Sequence, residues 1–213
     1  MVWAGAQETF EQLDPSGYRI GYQAITRLFQ DYVRPDDYQT VAAGAYAVYG
    51  WMPTIMKRGV QYAAWSSSKE ALGKLSSAAD WPEANKILSE RPSILTLING
   101  SLVGTSKFLH FLNPEVLPIW DSRIGRVFRA DRRDLVEKRD KYLAYCSAVS
   151  EAIQHEIIYP AGYVEFSGDD VSPVRRLEFL LFLYGQSDNF KASSTLGAQS
   201  LNLGETSTET ELV

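Results

Sequence analysis

The residues whose types and spacing could do chemistry gather between Gly100 and Arg126. Asp121 stands ahead of Ile124, Val127 and Phe128, apolar positions at helical spacing, so it is the expected N-cap of a short helix. A helix N-terminus favours negative charge, and the species expected there is a carboxylate. Arg123, Arg126 and Arg129 fall on the other side of that helix, and Trp120 immediately precedes it. Lys107 and His110 lie one turn apart on the preceding helix and are the nearest candidates for a nucleophile or a base. Each has a plainer reading as well: a simple cap for Asp121, an exposed or phosphate-facing lysine, a packing histidine, a solvated arginine face.

The elements that must hold these groups can be read on either side. Ile94 to Ile98, capped by Ser93, is expected as a short helix; a tight glycine turn around Asn99-Gly100 and Gly104 leads to the next, where Phe108, Leu109, Phe111 and Leu112 carry the apolar spacing. Asn113-Pro114 ends that helix, and Pro118 keeps the chain extended up to Ile119-Trp120. Upstream, helices are expected over residues 21–33 and 36–49, after a turn at Asp14-Pro15-Ser16-Gly17. Tyr49-Gly50-Trp51-Met52-Pro53 reads as an aromatic turn, with Pro53 opening the next helix. Ser66-Ser67-Ser68 reads as the cap of a helix over 68–77, and Asp80-Trp81-Pro82-Glu83 as a strong helix start. Downstream, Asp134 is expected to cap a long helix to about Glu156, Tyr159 to Tyr163 to be loop, and Pro173 to open a last helix to residue 184. There is no repeat and no convincing pair of strands, which predicts an all-α chain.

Composition narrows the function classes. The chain has 213 residues, 45% hydrophobic and 22% charged, an ordinary globular balance. One cysteine, Cys146, excludes an internal disulfide framework and fits a reducing cytoplasm. With only His110 and His155 beside it, no zinc site is expected, and no cofactor is implied. No apolar run reaches the ~18 residues of a membrane span, and the N-terminus lacks the pattern of a signal peptide. A net charge of −5 argues against non-specific coating of nucleic acid. Locally the balance reverses: residues 121–141 hold eight bases against five acids.

The order of helix, glycine turn, helix and then an aspartate opening a basic helix resembles the helix-hairpin-helix DNA glycosylase superfamily. It is most similar to small bacterial proteins of the 8-oxoguanine glycosylase branch. The residues that carry the resemblance are Gly100 to Gly104, Ser106-Lys107, and Pro118-Ile119-Trp120-Asp121-Ser122-Arg123-Ile124-Gly125-Arg126, within a match over about residues 94–130. It implies a two-lobed helical fold gripping double-stranded DNA, with a nucleotide flipped into a cleft. Asp121 would match the family's essential aspartate, stabilising the cationic sugar and orienting the attacking water. Gly100, Gly104, Ser106, Arg123 and Arg126 would contact DNA, and Tyr49, Trp51, His110 and Trp120 would line a base pocket. Lys107 stands closer to Asp121 than the family's lysine, with Ser106 in the expected register, so a monofunctional enzyme is expected over one with lyase activity.

The resulting expectation is one helical domain over 1–186, a disordered tail over 187–213, and a cytoplasmic monomer. Its substrate would be a modified phage cytosine, such as glucosylated hydroxymethylcytosine, or an oxidised or alkylated base. The alternative is a helix-hairpin-helix module that binds DNA without catalysis.

Overall fold

A computed structural model describes residues 15–51, 55–130, 132–168 and 171–186. Among them the chain forms α1 (Pro15–Asp31), α2 (Tyr38–Trp51), α3 (Tyr62–Ser76), α4 (Trp81–Glu90), a 3-10 turn (Pro92–Thr96), α5 (Leu102–Leu112), α6 (Ser122–Val127), α7 (Arg133–Val136), α8 (Arg139–Ala152), α9 (Tyr163–Ser167) and α10 (Pro173–Gln186). The β-type pairing among these residues is one isolated antiparallel bridge, Val60 to Ile98. The fold is all-α. Asp14, Pro53 and the expected tail lie outside the described residues.

The centre of the fold is α5, which packs on α1, α2 and the 3-10 turn. Its Phe108 meets Phe29 of α1 edge-on at 5.1 Å, and Phe111 packs on Tyr22 at 5.2 Å. Buried apolar side chains from Tyr22 to Leu177 form one continuous core. A small satellite of Tyr163, Phe179, Leu180 and Leu183 joins α9 to α10. Asp80 caps α4 as expected: its carboxylate accepts from the Glu83 amide while Glu83 accepts from the Ala79 amide, a variant of the capping box set back by one residue.

Several boundaries depart from the sequence reading, each for a tertiary reason. Pro15-Ser16-Gly17 forms the first turn of α1, and Tyr49 to Trp51 the last turn of α2, where the Trp51 ring closes on Gly21 of α1. Ser66-Ser67-Ser68 caps nothing: α3 begins at Tyr62, where Tyr38, Tyr62 and Trp65 cluster and the Trp65 indole donates to Pro35 O. Ser67 turns its hydroxyl back to Ala63 O, and Ser68 meets the Ser93 hydroxyl. Ser93 itself lies inside the 3-10 turn, which replaces the helix expected over 94–98. Asp134 heads no long helix. The Trp120 indole takes Val136 O at 2.7 Å, and Glu137 reaches across to α5, so the chain breaks between α7 and α8. Gly104 belongs to the helix and not to the turn: α5 begins at Leu102, capped by Ser101.

Gly185 lets α10 approach α6 closely, and Gly125 lets the chain that follows α6 fold back against it. A methyl at Gly185 would collide with the Arg123 carbonyl, and one at Gly125 would come within 2.8 Å of Ala130 O. Gly73, inside α3, has nothing within 4 Å of the point where a methyl would stand, so a side chain is tolerated there. Gly185→Ala is therefore expected to lower unfolding free energy by about 1–3 kcal/mol, and Gly73→Ala to raise it by about 0.5–1 kcal/mol. Urea denaturation of the two variants beside wild type checks both signs.

Candidate active site

The loop from Asn113 to Trp120 decides where Asp121 stands, and it is buried rather than draped on the surface. The Asn113 side-chain amide donates to Leu75 O and Ala78 O, fixing the start of the loop to α3. His110 Nδ1 bonds Leu117 O at 2.7 Å, and the Ser106 hydroxyl holds Trp120 at both ends, accepting from its amide at 3.1 Å and donating to its carbonyl at 3.0 Å. The next residue is Asp121, and the neighbour of Ser106 on α5 is Lys107. One serine thus ties the loop that leads into Asp121 to the helix that carries Lys107.

Asp121 caps α6 through a single oxygen. Oδ1 accepts from the Arg123 amide at 2.9 Å and the Ile124 amide at 3.0 Å. Oδ2 accepts no hydrogen bond among the described residues. Lys107 is half-buried and forms no ion pair or hydrogen bond among those residues. Burial lowers its proton affinity below that of an ordinary lysine; Asp121 and Glu178 act against this, while Arg123 and Arg175 add to it. An amine with reduced affinity for its proton and a carboxylate with a free oxygen therefore share one electrostatic site.

Behind them lie charges that the sequence reading missed. Arg175 and Glu178 form a buried ion pair one turn apart on α10. The guanidinium lies over the Tyr22 ring at 4.7 Å, Phe179 at 5.1 Å and Trp51 at 5.9 Å. Burial pushes the Glu178 carboxyl up to about 7 against the pull of Arg175. The Tyr145 hydroxyl is buried, has no hydrogen-bond partner among the described residues, and feels the charges of Glu178 and Asp121. The available signal was Arg175 and Glu178 at i, i+3 within a helix otherwise rich in Leu and Phe.

The other expected site residues are distributed differently. Gly100 lies exposed in the hairpin at φ +66, after Asn99 at φ +58. Lys57, Arg58, Thr96, Asn99, Ser101 and Glu137 line an open groove of about 480 Å³ around it. Gly104 is buried against the Tyr49 phenol, and its amide bonds the Ser101 hydroxyl. The hairpin amides expected to meet a phosphate are partly taken: Ser101 N by Ile98 O, Leu102 N by Glu137 at 2.7 Å, Thr105 N by Ser101 O. Ser106 is buried and engaged with Trp120, so its hydroxyl faces the loop and not the surface. Arg123 is exposed with its guanidinium 4.9 Å from the Phe182 ring, and Arg126 reaches Gly185 O at 3.1 Å. Arg129 falls beyond α6 at φ +53, off the helical face expected for it.

Of the four expected pocket aromatics, only Trp51 is half-exposed, beside Tyr22 and Arg175. Trp120 is wholly buried between Phe128 and Tyr145, Tyr49 lies under the hairpin, and His110 is sealed in the core. Core packing took these rings because each follows an apolar stripe of α2, α5 or the buried loop. Among the described residues no group of three or more His, Cys, Asp or Glu is placed to hold a metal, and no helix is long and apolar enough to cross a membrane. Compared with known protein families, curated proteins and solved structures, the chain matches none of them.

His110 supplies a pH signature. Its Nε2 lies 2.9 Å from the Tyr22 hydroxyl, and burial, with Arg175 nearby, pushes the imidazole down to about 3. Between the ordinary value of 6.5 and about 3 the unfolded chain binds a proton that the folded chain refuses, so this contribution to stability is lost as pH falls. Glu178 acts in the opposite sense between 7 and 4.5, where the folded chain holds the extra proton. The two offset each other from 6.5 to 4.5, and His110 acts alone below that. His110→Gln is expected to unfold more easily at neutral pH. Its stability gap from wild type narrows by up to about 1.4 kcal/mol per pH unit as pH falls below about 6.5. Urea titrations of the two proteins at several pH values measure that gap.

Proposed function

We propose that this chain is a DNA glycosylase that turns a modified base out of duplex DNA and hydrolyses its N-glycosidic bond. The observation that carries the reading is the half-used carboxylate of Asp121, one oxygen bound to two amides and the other without a partner among the described residues, electrostatically coupled to the amine of Lys107, which has no ion pair or hydrogen bond among those residues. When the bond between base and sugar breaks, its electron pair leaves with the base and positive charge builds on the sugar. A fixed carboxylate stabilises that charge and orients the water whose oxygen then bonds to the sugar carbon. The resemblance over residues 94–130 supports the same assignment, with glucosylated hydroxymethylcytosine or an oxidised or alkylated base as the substrate.

A specific observation favours a second reading of Lys107. Its depressed proton affinity, with no ion pair among the described residues, suits an amine that attacks the sugar carbon itself, the base departing with the bonding electrons and a Schiff base forming afterwards. Such an enzyme cuts the strand without alkali and is trapped on DNA by borohydride. A water-using enzyme leaves intact abasic sites.

Asp121→Asn tests the proposal cleanly, because asparagine caps a helix about as well as aspartate. Wild type is expected to release base from at least one of three DNAs: duplex with oxidised bases, duplex with alkylated bases, or phage DNA with glucosylated cytosines. The variant is expected to bind the same DNA with the same salt dependence and to release base at least ~100-fold more slowly. Salt-sensitive binding without base release from any of the three overturns the enzyme and supports the non-catalytic module.

A further inference from the structure

The Glu137 carboxylate, at the end of α7, has no task in the chemistry above, yet it spends both oxygens on a distant part of the chain. Oε1 accepts from the Ser101 hydroxyl at 2.8 Å and Oε2 from the Leu102 amide at 2.7 Å, and both donors head α5. The residue before it, Val136, is buried, and its carbonyl accepts the Trp120 indole at 2.7 Å. Trp120 returns to α5 through its backbone, which meets the Ser106 hydroxyl at 3.1 and 3.0 Å, and Ser106 stands one helical turn after Leu102. The contacts therefore close a ring. It runs from Leu102 along α5 to Ser106, across to Trp120, through the indole to Val136, and from Glu137 back to Leu102. Asp121 is joined to this ring by its peptide bond to Trp120, and its Oδ1 holds the Arg123 and Ile124 amides.

Closure matters because secondary structure holds neither side of the crossing. The loop from Asn113 to Trp120 forms no helix, and α7 is a four-residue turn too short to hold itself. In an open series of contacts each joint can rotate; in a closed one, no member turns without lengthening a hydrogen bond elsewhere. Ser106 and Trp120 make their links inside the core, whereas Glu137 makes its link at the surface, on the wall of the groove around Gly100. A surface hydrogen bond contributes modestly to global stability, so its loss leaves the fold standing and opens the ring. We propose that Glu137 is a positioning residue for Asp121: it closes the ring that carries Trp120, and through Trp120 it fixes the carboxylate at the head of α6. The hairpin expected to meet DNA and the carboxylate expected to act on it then move as one unit.

The inference rests on Asp121 being the working carboxylate of the proposed reaction, but its main test needs no DNA. Hydrogen exchange followed by NMR on the full chain reads the Trp120 indole N–H and the Ile124 amide. The amides of Ile25 in α1 and Leu72 in α3 serve as references away from the ring. Glu137→Ala is expected to speed exchange at Trp120 and Ile124 by ~10-fold relative to those references. Glu137→Gln is expected to return it toward wild type, because its carbonyl can take the Leu102 amide while its NH2 donates to the Ser101 hydroxyl. Trp120→Phe opens the same ring at the indole, so Glu137→Ala added to it is expected to speed Ile124 exchange little further. The proposal is overturned by Ile124 exchange that is unchanged in Glu137→Ala, that rises equally at Ile25 and Leu72, or that responds additively to the two substitutions. Should Trp120→Phe fail to fold, the Glu137 series decides alone. Where wild type releases base, Glu137→Ala is expected to slow release at saturating protein and Glu137→Gln to restore it; release at the wild-type rate in Glu137→Ala overturns the positioning role. A wild type that releases no base from any DNA overturns the glycosylase reading alone and leaves the exchange result standing.

Discussion

The hydroxyl of Ser106 is the contact on which the candidate site depends. It lies inside the core, accepts from the Trp120 amide and donates to the Trp120 carbonyl, sharing that proton with Val103 O one turn back on its own helix. A β-strand ladder does this work with two backbones; here a side chain stands in for the second strand. The loop between α5 and α6 has no secondary structure of its own, yet it is buried over Val116 to Trp120, where unmet backbone groups would be costly. Ser106 meets the amide and carbonyl of Trp120, His110 meets Leu117 O, and the Val116 and Leu117 amides return to Asn113 O. The loop is therefore rigid by hydrogen bonding rather than by helix formation, and Asp121 inherits that rigidity.

Much of this was legible in the sequence, and the reasons are local. Asp121 as a cap, Asp80 with Glu83 as a capping box, Asn113-Pro114 as a stop and Pro173 as a start all depend on residues within a turn of one another. The apolar spacing of α5 was equally clear. The features that failed to show were long-range. Nothing near Asp134 reports that the Trp120 indole will take the Val136 carbonyl and end α7 after one turn. Nothing near Ser66 reports that Tyr38 and Trp65 will draw the helix start back to Tyr62. The aromatic residues expected in a pocket were misplaced for a related reason: Trp120 and Tyr49 have the composition of a cleft wall, but in a fold of this size the same rings are needed to fill the core.

The electrostatics follow the same division. Lys107 was visible as a candidate, but the charges that act on it come from Asp121, Glu178, Arg123 and Arg175, two of them on the last helix. Arg175 and Glu178 sit in a run of Leu and Phe, where charged residues ordinarily mark the solvent side. Here the polar pair faces inward, matched by the three rings around Arg175. Their meaning depends on the partner helices, which periodicity alone does not name.

The close crossing of α6 and α10 carries one more consequence, for the order in which the molecule can be completed. The α6 helix is six residues long and too short to hold itself, and Gly185 near the end of α10 lies against the Arg123 carbonyl that follows the cap. As the chain emerges from a ribosome, Lys107 and Asp121 are made early, yet the surface that seats α6 is among the last to appear. A nascent chain carries the two candidate residues for about sixty positions before the helix end that seats α6 is made. Assembly of the site is thus deferred until almost the whole helical body has been synthesised.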